Sequence, residues 1–181
     1  MNDETRRDEE SQEEQALVAR YEEMNRLNTS WYFDVDQFEQ IISFYFDQGR
    51  TKSALQAVRY AENIFPNSPT LLLREAQVMA ANGELSRAIP RLKNLLHLEP
   101  NNDEIHLTLA SIYSQSRKHE NAIKHFSIAL KLCSDDFRDD ITLDLALEYE
   151  SSNQYHLAIE LLKKTITRNP KHETATFELA F

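Results

Sequence analysis

The sequence predicts an all-α fold made of stacked antiparallel helix pairs, and three observations lead to this prediction. Glycine and proline are scarce, at two and five in 181 residues, so few turns need a left-handed backbone and a β-rich fold is disfavoured. Good helix formers such as Ala, Leu, Glu, Gln, Lys and Arg are abundant. Finally, one set of residues returns about every 34 positions, which indicates a helical repeat array.

Two segments precede the repeats. Residues 1–14 carry seven acidic residues, two arginines and no apolar residue after Met1, so we expect a disordered acidic tail with nothing to bury. Residues 15–30 are predicted to contain an amphipathic capping helix, because apolar residues recur there at helical spacing. Its apolar stripe consists of Leu17, Tyr21, Met24 and Leu27. An isolated helix of this length is marginal in water, so we expect the stripe to cover the first repeat.

The repeat is defined by three slots. A small residue occupies the first, at steps of 34, 34 and 36 residues: Ala54, Ala88, Ala122 and Ala158. Nine residues earlier stand Tyr45, Met79, Tyr113 and Tyr149, and twelve residues later stand Pro66, Pro100, Ser134 and Pro170. Alanine lets two helices approach to about 8–10 Å between axes, and proline stops a helix from continuing. One pair cannot bury its apolar face alone, so neighbouring pairs are expected to stack.

The order Tyr, Ala-x-x-x-Phe, Pro resembles the tetratricopeptide repeat (TPR), most closely at Tyr113, Ala122, Phe126 and Ala129. The resemblance covers residues 35–181 and implies a right-handed α-solenoid. The implied repeats 1 to 4 are residues 35–68, 69–102, 103–136 and 139–172. Residues 173–181 then begin a truncated fifth repeat.

Three local features have predicted roles within this pattern. Gly49 and Gly83 stand between paired helices, where a left-handed cap at a helix C-terminus would suit them. Pro90 falls inside the second helix of repeat 2, where we expect a tolerated kink. Two extra residues before repeat 4 are expected to lengthen a loop.

Charge separates between the two helices of each repeat. The first helices, predicted at 35–48, 69–82, 103–116 and 139–152, carry a net charge of −10. The second helices, predicted at 51–65, 84–98, 117–133 and 155–168, carry +8. The resemblance implies that first helices line a concave groove, so an acidic groove would favour a basic or amphipathic partner. Alternatively, neighbouring helices of opposite charge pair with each other, and acids in first turns suit the helix dipole.

Equivalent first-helix positions give the candidate groove residues. They are Asp36, Glu39, Ser43, Phe46, Leu73, Gln77, Leu107, Ser111, Asp140, Leu143, Leu147 and Glu150. TPR modules that grip acidic chaperone tails use Lys, Arg and Asn in such slots, so this partner class is disfavoured. Leu73, Leu107 and Leu143 would form an apolar stripe for an amphipathic helix with basic edges. Alternatively, these leucines pack between adjacent first helices as core.

Composition excludes several classes of function. A net charge of −10 disfavours nucleic acid and anionic membrane surfaces as partners. No apolar run approaches the length of a membrane span, and the first residues lack the apolar region of a secretory signal, so we expect a cytoplasmic protein. Cys133 is the single cysteine, the histidines lack metal-binding spacing, and no Gly-rich phosphate loop occurs. We therefore predict no enzymatic activity, no cofactor and no metal.

The predicted function is a non-catalytic protein–protein interaction scaffold that binds a peptide or helix in its groove. Two alternatives stay open. One is a self-associating assembly module, acting through the N-terminal helix or the truncated C-terminal edge, where Phe177, Leu179 and Phe181 would expose apolar surface. The other is a regulatory or targeting region of a longer protein whose activity lies beyond Phe181.

Overall fold

The computed structural model describes residues 3–170 and 172–180, and these contain ten α-helices, one short 3₁₀-helix and no strand. The helices are α1 (Asp3–Arg26), α2 (Val35–Asp47), α3 (Thr51–Ile64), α4 (Pro69–Ala81), α5 (Leu85–Leu98), α6 (Asp103–Gln115), α7 (His119–Leu132), α8 (Arg138–Ser151), α9 (Tyr155–Arg168) and α10 (Glu173–Ala180). Helices α2 to α9 begin and end within two residues of the predicted bounds. Each predicted repeat therefore holds one antiparallel helix pair.

The chain forms two compact units, Met1–Arg91 and Leu92–Phe181. The N-terminal unit contains α1 to α4 and the first half of α5, and the C-terminal unit contains the remainder of α5 and α6 to α10. The small residues that define the repeat are buried in both units: Ala54, Ala88, Ala122 and Ala158. This burial fits their predicted place at close helix crossings.

An aromatic cluster forms the core of the N-terminal unit. The ring of Tyr21 on α1 meets the rings of Phe33, Phe38, Tyr45 and Tyr60 edge-on, at centroid distances of 5.9 to 6.4 Å. Edge-to-face contacts of this kind stabilise a core beyond the area they bury. The cluster joins α1 to the α2–α3 pair, so α1 covers one side of this pair as a capping helix would.

Helix α1 differs from the prediction in two ways. Residues 3–14, predicted to be disordered, continue the helix, while residues 1 and 2 lie outside the described residues. The prediction considered only apolar burial, whereas Glu, Gln and Arg are good helix formers and extending an existing helix costs little. The buried stripe is Val18, Tyr21 and Met24, and Leu27 is 49% exposed because the helix ends at Arg26.

The turn between paired helices has the same geometry in all four repeats. Gly49, Gly83, Arg117 and Asn153 have φ angles of 67°, 81°, 54° and 61°. The next residue in each turn donates its N–H to the carbonyl five positions back, on Tyr45, Met79, Tyr113 and Tyr149, at 2.8 to 2.9 Å. This is a Schellman motif. The left-handed caps predicted at the two glycines are therefore present, and repeats 3 and 4 form them without glycine.

Arg117 is expected to be the most strained of these caps, since a left-handed backbone costs an L-residue about 1–2 kcal/mol. We expect Arg117→Gly to raise the free energy of unfolding by about 0.5–1 kcal/mol, after the entropic cost of glycine is subtracted. Ser116→Gly is the matched control, because Ser116 has a φ of −85° and gains no such relief. Urea unfolding followed by circular dichroism checks this, and equal losses of stability in both variants would contradict it.

The turns between repeats provide the caps of the following helices. Ser68 and Asn102, each two residues after a proline, accept hydrogen bonds from the backbone N–H groups of Leu71 and Ile105. Side-chain capping of this kind satisfies N–H groups that have no partner within the helix. Before α10, the Nδ1 atom of His172 provides the cap by accepting a hydrogen bond from the backbone N–H of Ala175 at 3.1 Å. The proline turns thus set where α4, α6 and α10 begin, whereas Asp34 caps α2 and α8 begins without a side-chain cap.

Two predicted irregularities take defined forms. Pro90 lies inside α5, which runs unbroken from Leu85 to Leu98. The extra residues before repeat 4 form the 3₁₀-helix Asp135–Phe137 rather than an extended loop. At the C-terminal edge Phe177 is 60% exposed and Leu179 packs partly against the core, while Phe181 lies outside the described residues.

A cluster of two carboxyl groups and one guanidinium joins α3, α4 and α5 in the N-terminal unit. Glu75 is 3% exposed and is bound by Arg91. Glu62 lies beside Glu75, and burial together with the negative charge of Glu75 raises the pKa of Glu62 to about 7, while Arg91 and Arg59 oppose the rise. Glu62 is thus poised to hold a proton and donate a hydrogen bond to Glu75.

A histidine pair stabilises the α6–α7 helix pair in the C-terminal unit. His106 is buried, its Nε2 atom lies 3.3 Å from the carbonyl of Pro100, and its Nδ1 atom lies 2.9 Å from Nδ1 of His125. Because Nε2 carries the proton that is donated to the carbonyl, Nδ1 of His106 accepts the proton of His125. Burial lowers the pKa of His125 to about 4, and the charges of His106, Lys124 and Lys93 contribute. The His125 ring is therefore neutral near pH 7.

Candidate functional site

In the N-terminal unit, the predicted groove positions on α2 and α4 are joined by an arginine. An Oε1 atom of Glu39 lies 3.7 Å from Nε of Arg74, and Arg74 donates a hydrogen bond of 2.8 Å to Gln77. Ion pairing with Arg74 offsets the charge of Glu39. Arg74 thus brings the predicted groove residues Glu39 and Gln77 together, and the pair presents little negative charge to a partner.

The remaining predicted positions of the N-terminal unit differ in accessibility. Asp36 and Phe46 are exposed and Ser43 is half-buried, so a partner could reach them. Leu73 is only 3% exposed and therefore offers almost no contact surface. The prediction that Leu73 starts an apolar stripe on the groove wall is corrected in this respect, since the residue is packed as core, as the alternative interpretation had it.

A groove lies between α6 and α8 in the C-terminal unit, and we call it the α6–α8 groove. It has a volume of about 300 Å³. The lining residues are Ser111, Ser114 and Gln115 of α6, Phe126 of α7, and Asp144, Leu147, Glu148 and Ser151 of α8. Two facing first helices form its walls, and a buried aromatic side chain from the second helix α7 contributes to its lining.

The structure brings together two predicted groove residues in this place, Ser111 and Leu147. Two others lie one turn away on the same helix faces: Leu107 precedes Ser111 by four residues, and Asp140 precedes Asp144 by four. Leu143 and Glu150 are half-buried and exposed, respectively, and are not among the lining residues.

The acidic residues of α8 divide into paired and unpaired groups. Asp139 is bound by Arg168, and Oε1 of the buried Glu148 lies 2.5 Å from Nδ1 of His119. Within the described part of the chain, Asp140, Asp144 and Glu150 take part in no ion pair. Charge pairing between first and second helices, the alternative weighed above, thus accounts for some of the acids but leaves these three.

Asp144 has the most perturbed environment of the three unpaired acids. Burial raises the pKa of Asp144, and the negative charge of Asp140 one turn away raises it further. The side chain is nevertheless exposed, so a cation from a partner can reach this carboxylate and offset its partial desolvation. The α6–α8 groove therefore has the chemistry to accept a positively charged side chain.

Sequence reasoning omitted most of the groove lining from its candidate residues. Phe126 was assigned to the repeat motif, and Asp144, Glu148 and Ser151 were not among the aligned slots that gave the candidates. A signal for Asp144 was present, because Asp140, Asp144, Leu147 and Ser151 follow one another at helical spacing. Applying this periodicity to the whole of α8 would have placed these residues on one face.

Two models of the tetratricopeptide repeat family match this chain. One matches residues 79–132 and the other residues 142–172. The matched ranges fall on predicted repeats 2 to 4, where the helix pairs and the left-handed turns recur. This chain is a tetratricopeptide repeat protein.

Known proteins with similar sequence or structure agree with the TPR assignment. The human protein O-mannosyl-transferase TMTC1 is 25% identical over 160 residues, which cover 83% of this chain and 18% of that protein. The chain thus spans less than a fifth of this relative's length. A thermophilic TPR protein of Thermus thermophilus superposes with a TM-score of 0.71 at 18% identity, over 91% of this chain and 87% of that one.

YrrB, described as a TPR protein with an unusual peptide-binding site, superposes with a TM-score of 0.69 at 17% identity, over 96% of this chain and 87% of YrrB. At such identities the similarity concerns the fold. The TPR architecture makes this chain a candidate protein-interaction scaffold.

In the described ranges, no helix combines the length and the apolar character needed to cross a membrane.

Proposed function

We propose that this TPR chain is a non-catalytic scaffold in the cytoplasm that binds a basic segment of a protein partner in the α6–α8 groove. The observation that carries the proposal is the unpaired carboxylate of Asp144 in a groove that also has apolar lining. Phe126 and Leu147 supply that apolar part, and serine hydroxyl groups at the edges can accept or donate hydrogen bonds.

The size and charge of the groove favour one long cationic side chain at a time. A volume of about 300 Å³ is at the small end of the range for ligand pockets. The methylene groups of Lys or Arg can cover Leu147 while the charged end meets Asp144. A hydrogen bond to a charged group contributes about 1.5–3 kcal/mol, which is enough to select basic segments. YrrB offers a precedent at the level of fold, since its description names a peptide-binding site.

A peptide selection tests this proposal. A displayed library of random peptides is selected on the chain, and the affinities of the selected peptides are measured by fluorescence anisotropy. We expect Lys and Arg to be enriched, and we expect Asp144→Lys and Leu147→Glu each to weaken binding about tenfold or more, equivalent to about 1.4 kcal/mol.

Glu120→Lys is the matched control, because Glu120 is exposed on α7 and does not line the groove. It makes the same change of charge as Asp144→Lys and should leave affinity unchanged. Selected peptides without basic residues, or equal affinities for all three variants, would show that the groove is not the binding site.

The similarity to part of TMTC1 favours a second candidate function, a regulatory or targeting region of a longer protein. The matched region covers 18% of that transferase, which shows that a similar TPR segment occurs within a much larger chain. Sequencing the transcript that encodes this chain tests the idea. A catalytic domain in the same reading frame supports it, and a stop codon directly after Phe181 contradicts it.

A further inference from the structure

A basic surface lies along α9, on residues that the α6–α8 groove does not use. Two shallow depressions of about 380 and 400 Å³ share Lys164 and Arg168 at their edges. Lys163 lines the first depression, and Arg138 of α8 lines the second. We call these four cationic residues the α9 basic surface.

Two cations of this surface, Lys163 and Lys164, are available to a partner, whereas Arg138 and Arg168 already pair with Asp135 and Asp139. Lys164 pairs with Glu160 at 2.7 Å, but both side chains are exposed. Such surface pairs contribute about 0–1 kcal/mol, so a partner's carboxylates can replace the internal acid at little cost. Lys163 makes no ion pair within the described ranges. Leu130 and Leu161 line the second depression, which gives the surface an apolar part as well.

The chain itself contains a segment of complementary character. Residues 3–14 of α1 hold seven acidic and two basic residues, a net charge of −5. Among residues 11–26 of α1 the buried ones are Val18, Tyr21 and Met24, so the core of the N-terminal unit takes nothing from residues 11–14. At a rise of about 1.5 Å per residue, residues 3–14 extend over about 18 Å and α9 over about 21 Å. The cations of α9 lie within residues 163–168, so part of the acidic helix is long enough to meet all of them.

We propose that the α9 basic surface of one molecule binds the acidic segment 3–14 of α1 of a second copy. The contact joins different surfaces on the two copies, so it produces open chains or rings rather than an isologous dimer. Each copy carries a net charge of −10, and this long-range repulsion opposes the local attraction. At about 0.1 M salt the screening length is about 10 Å, which weakens the repulsion more than the contact.

Sedimentation velocity on the full chain tests this proposal, with a concentration series at about 0.1 M and at about 1 M salt. We expect the mean mass to rise with concentration in the first series and to stay monomeric in the second. Lys163→Glu/Lys164→Glu and Glu10→Lys/Glu13→Lys should each weaken association at least tenfold. A mixture of these two double variants should associate again, because the unaltered acidic segment of the first meets the unaltered basic surface of the second, and the two altered surfaces also carry opposite charges.

Lys52→Glu/Lys118→Glu is the control, since both lysines are exposed and lie outside α9. It changes the net charge by the same amount as the α9 variant and should reduce association much less. A wild-type chain that stays monomeric throughout overturns the proposal. The proposal is also overturned if both charge variants leave association unchanged. It is likewise overturned if a mixture of the two variants fails to associate. None of these outcomes bears on the α6–α8 groove, whose residues are all unaltered.

Discussion

Phe38→Ala is expected to lower the free energy of unfolding of the N-terminal unit by about 3–5 kcal/mol. Phe38 is fully buried, and its ring contacts those of Tyr21, Phe33, Tyr60 and Phe65 at centroid distances of 5.5 to 6.3 Å. Truncation removes these contacts and leaves a cavity between α1, α2 and α3 that rigid aromatic rings cannot readily fill. Chemical denaturation followed by tyrosine fluorescence and circular dichroism measures the loss.

Phe46→Ala is the matched control for this prediction. Phe46 lies on the same helix and undergoes the same chemical change, but it is 38% exposed. We therefore expect its replacement to lower the free energy of unfolding by about 1 kcal/mol or less. Because Phe46 was also a predicted groove residue, the variant reports on binding without a large loss of stability. Equal losses for Phe38→Ala and Phe46→Ala would mean that the aromatic cluster is not the core of this unit.

Arg91→Met is expected to lower the stability of the N-terminal unit by about 2–3 kcal/mol at pH 8 and by much less at pH 5. The variant leaves the buried carboxylate of Glu75 without its guanidinium partner, and breaking such a pair costs about 3–5 kcal/mol when both groups are buried. We expect less here because the side chain of Arg91 is 42% exposed and solvent screens the interaction. Thermal unfolding across this pH range measures the effect.

The pH dependence follows from the raised pKa of Glu62, about 7 in the folded chain against an ordinary 4.5. The folded state binds the Glu62 proton more tightly than the unfolded state, so its contribution to stability is complete below pH 4.5 and is lost as the pH rises through 7. Without Arg91 only Arg59 offsets the two negative charges that form at high pH, so the loss becomes larger.

Arg87→Met is the control, since Arg87 lies one turn earlier on α5, is exposed and pairs with the neighbouring Glu84. Exposed pairs of this kind contribute about 0–1 kcal/mol, and we expect no change between pH 5 and pH 8. If Arg87→Met and Arg91→Met were equally destabilising at pH 8, the carboxylate cluster would not be the source of the effect.

The spacing of small and large apolar residues predicted the helix pairs well, because repeats buried in the same way must keep the same residues at their crossings. Ala54 and Ala122 illustrate this, since both are fully buried at equivalent positions. The length of α1 was not predictable in this way, because propensity rather than burial extends it towards Asp3. Likewise, the left-handed turn at Arg117 carries no glycine, and the only sign of it in the sequence is its position 34 residues after Gly83.

The candidate groove was predicted less well than the fold, for a physical reason. The aligned slots identify which residues are equivalent, but the crossing of neighbouring helices decides which of them stay accessible. Leu73 and Leu107 occupy the same slot, yet the first is buried and the second only half-buried. Asp144 falls outside the aligned slots, and its importance depends on which acids of α8 find a cation, which spacing alone does not reveal.

The 3₁₀-helix Asp135–Phe137 has a practical consequence for labelling and engineering. Two extra residues are accommodated there without altering the Schellman turns of repeats 3 and 4, so this junction tolerates a change of length. The tight turns at Gly83 and Asn153 would not, because an inserted residue would separate the N–H group from its tyrosine or methionine carbonyl. A fluorophore, epitope tag or permuted terminus therefore belongs near Asp136.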